Sequence, residues 1–97
     1  MTIKFNVPRT DSKGNVIKDP ATNKPALLSD LIGDFLGTET KGNVRKLGGW
    51  IELLADGKPL ELDDADLKMF TELVENTERM WMIAKAQIFK IIDGVKK

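Results

Sequence analysis

Ile3, Phe5 and Val7 alternate with Thr2, Lys4 and Asn6 at the start of the chain, the period of two that marks a strand with one buried face. Pro8 ends the alternation, because proline has no amide to give to a sheet. The small polar residues and glycine of Asp11-Ser12-Lys13-Gly14-Asn15 supply a reversal, after which Val16-Ile17 can pair back on the first strand. This predicts a β-hairpin over residues 1–19. Asp19-Pro20-Ala21-Thr22-Asn23-Lys24-Pro25 is a second turn-rich stretch, whose prolines fix φ and remove donors, and it leads into a helical part over 28–94.

From Leu28 the period changes. Leu28, Leu31, Ile32, Phe35 and Leu36 line one helical face, with Ser29 as a candidate cap and Gly37 as a stop. After the polar connector Thr38-Glu39-Thr40-Lys41-Gly42, Asn43 is placed to cap a second helix. Its face is Val44, Leu47, Ile51 and Leu54, flanked by Trp50 and Leu53, and it ends at Asp56-Gly57. Gly48-Gly49 falls inside this helix, where each glycine costs about 1 kcal/mol relative to alanine. Close packing of another element, or a bend, is the expected compensation. The pair lacks the spacing and the following Lys-Ser/Thr of a phosphate-binding loop.

Leu60-Glu61-Leu62 reads as a third extended piece beside the hairpin. Asp63 then opens a third helix with Asp66 at its N3 position, as in an acidic capping box, and Leu67, Phe70, Leu73 and Val74 form its inner face. Asn76-Thr77 makes a break, with Thr77 as the expected cap of a last helix that runs to about Asp93 and is closed by Gly94, leaving a frayed tail. The predicted fold is one α+β domain over residues 1–97, predominantly helical, with an N-terminal β-hairpin packed on about four short α-helices.

The last helix is apolar on two sides. Met80, Trp81, Ala84, Ile88, Ile91 and Ile92 form one stripe; Met82, Ala86 and Phe89 form another, separated from it by Lys85, with Ile83 farther round. Such a helix is either central in its own domain or shared with a partner. Under the second alternative the interface candidates are Trp50, Trp81, Met82, Ala86 and Phe89, in a homo-oligomer or a binding groove.

Composition narrows the chemistry. The 97 residues include no cysteine, histidine or tyrosine, which removes the usual zinc site, a thiol nucleophile, a Ser-His-Asp triad and a disulfide framework. Glu61, Asp63, Asp64 and Asp66 are dense enough to suggest a divalent cation. Their spacing is not that of a calcium loop, however, and acids at a helix start are favourable in themselves. No metal, cofactor or enzymatic activity is expected.

Fifteen basic residues balance fifteen acidic ones, which argues against a nucleic-acid binder. The charge is nonetheless segregated: residues 1–25 are net +3, 56–78 net −6 and 79–97 net +4. Complementary blocks of this kind can orient a protein contact, or cancel where the acidic third helix lies beside the basic fourth. No apolar run reaches the roughly 18–20 residues of a membrane span, and the N-terminus lacks the apolar block of a signal peptide. A cytoplasmic protein with no membrane contact is expected.

The order of these features resembles a group of small tailed-phage and prophage proteins. The residues that carry the likeness are the Asp-x-x-Gly-Asn turn, Pro25-Ala26-Leu27-Leu28-Ser29-Asp30-Leu31-Ile32 entering a helix, Leu60-Glu61-Leu62-Asp63-Asp64-Ala65-Asp66, and Ala84-Lys85-Ala86-Gln87-Ile88-Phe89-Lys90-Ile91-Ile92. The resemblance implies a phage origin and transfers no catalytic residue. Together these features lead to the expectation of a non-enzymatic phage or prophage protein that binds itself and a host or phage protein, modulating a host factor. Two alternatives stand beside it. One is a sponge for a signalling nucleotide at an oligomer interface, with Trp50 or Trp81 stacking and Arg45, Lys46 or Arg79 on phosphate; the other is a virion assembly or structural component.

Overall fold

The computed structural model describes residues 1–39 and 44–96, the side chain of Lys96 excepted. In chain order the elements are β1 (Thr2–Ile3), α1 (Leu28–Gly37), α2 (Val44–Ala55), β2 (Leu60–Glu61), α3 (Asp64–Asn76) and α4 (Met82–Lys96). The architecture is α+β and predominantly helical, with an N-terminal hairpin arm packed on four helices. No described helix is long and apolar enough to cross a membrane.

β1 and β2 pair antiparallel, Thr2 opposite Glu61 and Ile3 opposite Leu60, so Leu60-Glu61 does lie beside the first strand. The pairing continues at Met1, whose carbonyl accepts the Leu62 amide at 2.8 Å. Ile3, Phe5, Leu60 and Leu62 turn inward and are buried.

The hairpin forms past Pro8, where Thr10 rather than the Ile3–Val7 strand faces Val16. Asp11 sets this register. Its carboxylate accepts the amides of Lys13 and Asn15, both at 2.9 Å, and Gly14 takes φ +84° in the turn, a conformation glycine adopts without penalty. Three extended segments then meet through a closed ring of backbone bonds. Arg9 N donates to Ala26 O at 2.8 Å, Ala26 N to Ile17 O at 2.8 Å, and Ile17 N to Arg9 O at 2.9 Å. Each segment thus satisfies the next, which lets a turn-rich arm keep its buried amides paired without a long strand.

The same arm starts α1. Leu28 N donates to Val7 O at 2.8 Å, and the N-cap Leu27 contributes no side-chain bond. Ser29 is therefore not the cap. It sits inside the first turn, 2% exposed, and its hydroxyl has no hydrogen-bond partner among the described residues.

α1 packs chiefly on α2. The buried α2 face is Leu47, Trp50 and Leu54, while Val44, predicted to belong to it, stands at the first helical position 84% exposed. The expected cap Asn43 lies outside the described residues. α2 ends as the Asp56-Gly57 pair predicts: Gly57 takes φ +68°, Gly57 N donates to Leu54 O at 3.1 Å and Lys58 N to Leu53 O at 2.8 Å, the paired bonds of a Schellman stop. Of the two compensations expected at Gly48-Gly49, close packing of another element is not found. Among the described residues a side chain at either position would meet nothing of another element within 4 Å.

α3 begins at the predicted cap, with Asp63 Oδ1 accepting from Asp66 N at 2.7 Å. Its buried Phe70 is the aromatic centre of the core, 5.5 Å from the Phe5 ring and 6.0 Å, edge to face, from Trp50. Thr77 closes α3 instead of opening the last helix: its backbone is extended and its hydroxyl accepts the Arg79 amide at 3.1 Å. α4 therefore starts only at Met82. It continues through Gly94, which is not the stop. Lys85 Nζ reaches back to the carbonyls of Glu75 and Thr77, where a cation answers the negative end of α3.

Candidate functional surface at the start of the last helix

Met80 and Ala84 are buried, and the turn between them faces outward. Trp81 and Met82 are each 76% exposed and Ile83 is 43% exposed. The late start of α4 explains this. Trp81 precedes the helix, and only its carbonyl takes part, accepting from Lys85 N at 3.1 Å, so it does not follow the core stripe of Ala84, Ile88 and Ile92 that helical periodicity assigned it to. Three large apolar side chains in succession form a patch of the sort that marks an interaction surface.

The other interface candidates divide. Ala86 is exposed on the next turn, and Phe89 is half-buried and packs against the core. Trp50 is 6% exposed and locked edge-on to Phe70, so it is a core residue and not an interface anchor. The spacing of its helix, with Leu47 and Leu54 on the same face, already allowed that reading.

A depression of about 420 Å³ lies beside Trp81, lined by Arg9, Ile17, Leu31, Met80, Arg79 and Trp81. A cleft of about 60 Å³ shares Arg9, Ile17 and Trp81 with it and is walled further by Thr10, Asp11, Ile83, Ala84 and Gln87. A further depression, of about 400 Å³, shares Arg9 and Leu31 with the first and carries Asp19, Asp30 and Asp34. Arg9, Ile17 and Leu31 were not foreseen as site residues. Arg9 and Ile17 come to Trp81 through the hydrogen-bonded ring of the N-terminal arm, a long-range arrangement that leaves no periodic trace.

Of the three candidate anion contacts, Arg79 alone is here. Its guanidinium donates to the carbonyl and hydroxyl oxygens of Thr38, each at 2.7 Å, pairs with Glu39 at 3.2 Å, and lies 5.7 Å from the Phe35 ring centre. Lys46 pairs instead with Asp66 at the start of α3, and Arg45 stands beside it on the first turn of α2. The structure does not gather the three around one pocket.

Electrostatics follow from these contacts. The hydrogen bond from Lys46 holds the Asp66 carboxyl below its usual range and raises the Lys46 ammonium in return. The Asn15 and Lys13 amides hold Asp11 down as well. Among the described residues no three Asp or Glu side chains converge on a metal position. The depression beside Trp81 is lined by aliphatic, thioether, indole and guanidinium groups, and the cleft adds the Asp11 carboxylate, the Thr10 hydroxyl and the Gln87 amide. Comparison with known proteins finds no matching family model, no matching curated protein and no matching solved structure.

Proposed function

We propose that this chain is a non-enzymatic interaction protein, of the small phage or prophage kind its sequence resembles. It associates with a host or phage factor, and with further copies of itself, through the face formed by Trp81, Met82 and Ile83. One observation carries the reading: two of the chain's largest apolar side chains stand next to each other at 76% exposure. Tryptophan and its apolar neighbours supply most of the binding energy where they are desolvated by a partner, at about 25 cal/mol for each Å² of apolar surface removed from water.

Sedimentation velocity of the wild type and Met82→Glu across a concentration series tests the proposal. The expected result is a concentration-dependent oligomer for the wild type and a folded monomer for the variant. A wild type that stays monomeric at every concentration sinks the self-association. A variant that unfolds would place Met82 in the core and count against the face.

A further inference from the structure

We infer that the depression beside Trp81 is a receptor for a short acidic segment of a partner protein, in which one carboxylate pairs with Arg9 and an adjacent bulky apolar side chain rests on Ile17, Leu31 and Met80. The inference rests on the reading of the chain as an interaction protein and names the chemistry of what it binds.

Arg9 is half-buried, yet its guanidinium makes no hydrogen bond or ion pair with any described residue. Its backbone is fixed on both sides by the bonds to Ala26 and Ile17, and the carboxylates that share its surroundings, Asp11, Asp19, Asp30 and Asp34, border it without pairing with it. A guanidinium partly withdrawn from water is stabilised by a carboxylate, which matches its fork of donors. Arg79 adds a second positive charge to the same wall while keeping its bonds to Thr38 and Glu39. Asp19, Asp30 and Asp34 lie in the neighbouring depression, across Arg9 and Leu31, and would repel a long acidic run; they favour one carboxylate at the Arg9 end.

The floor is apolar and the indole of Trp81 forms an exposed edge, as suits a side-chain anchor. Among the described residues no Asn, Gln, Ser or Thr side chain lines this depression. The Asp19, Asp30 and Asp34 carboxylates in the neighbouring depression would repel a multiply charged phosphate more than a single carboxylate, so the site favours a peptide over a nucleotide. Its volume of about 420 Å³ is in the range of small-ligand sites.

The probes are two fluorescein-labelled, end-blocked pentapeptides, Gly-Leu-Asp-Phe-Gly and its uncharged counterpart Gly-Leu-Asn-Phe-Gly, titrated with the full chain at low salt and read by anisotropy. The expected result is at least tenfold tighter binding of the aspartate peptide. Arg9→Gln should abolish the preference, Arg9→Lys should keep part of it, and Trp81→Ala should weaken both peptides. Equal or absent binding of the two peptides overturns the inference, as does a preference that survives Arg9→Gln. If Arg9→Gln fails to fold, Trp81→Ala decides: unchanged affinity removes the depression as the site. A wild type that self-associates while neither peptide binds would sink the acidic-segment receptor and leave the interaction reading standing; absence of both sinks both.

Discussion

Gln87 pairs with Thr10 as a neighbouring strand would. Its side-chain oxygen accepts the Thr10 amide at 3.2 Å while its nitrogen donates to the Pro8 carbonyl at 2.9 Å. One amide side chain on α4 thereby ties down the arm on both sides of Arg9. It also holds the arm beside Trp81, which shares a depression with Arg9 and a cleft with both Arg9 and Gln87.

Replacing Gln87 by Leu removes both bonds and leaves the two backbone groups of the arm to find water. At about 1 kcal/mol for each intramolecular hydrogen bond, the expected loss is about 1–2 kcal/mol in urea unfolding. The arm should loosen more than the core. Hydrogen exchange at Thr10 and Ile17 is therefore expected to quicken more than at Phe70, and uniform quickening would contradict the local role given to Gln87.

The hairpin and helices were legible because their signals are local. Asp63 with Asp66, Gly57 after Leu54, and the spacing of Leu28, Ile32, Phe35 and Leu36 each act within a few residues, and each appears as read. The misreadings at Ser29 and Thr77 share a cause. A hydroxyl near a helix start is an equally good cap or turn former by sequence, and what decided was long-range: the Val7 carbonyl took the Leu28 amide at one site. At the other, the Lys85 ammonium took the carbonyls that end α3. Of the candidate surface, Trp81 and Met82 were legible as surplus apolar residues, whereas Arg9 was not, because the ring joining Arg9, Ile17 and Ala26 spans three separate segments.

Ser29→Ala is expected to stabilise the protein. The hydroxyl is withdrawn from water without a hydrogen bond to any described residue, and an unmet buried polar group costs about 1–3 kcal/mol. Alanine removes that cost, leaves little void and is the better helix former. A thermal midpoint several degrees above wild type would agree with a gain of about 1 kcal/mol in a domain of this size. A lower midpoint would mean that the hydroxyl does have a partner.

Gly49→Ala should also stabilise. Gly49 is exposed, has helical neighbours on both sides, and a methyl group there meets no atom within 4 Å. The gain of about 0.5–1 kcal/mol comes from restricting the unfolded chain and from helix propensity. If instead the alanine variant folds normally but loses self-association, the glycine is kept for close approach of another molecule.

Asp11 connects the turn to pH. The amides of Asn15 and Lys13 stabilise its charged form and lower its pKa below the ordinary value of 3.8. A carboxyl whose folded pKa lies below its unfolded one binds fewer protons when folded, so the stability it lends is fully present above 3.8 and disappears as pH falls through the folded value. Asp11→Asn retains an oxygen that can accept the same two amides and removes the titration. The gap between wild-type and variant urea midpoints should therefore be widest near neutral pH and close progressively in acid. A gap that stays constant from pH 7 downward would assign the difference to altered turn geometry and not to the carboxylate's charge.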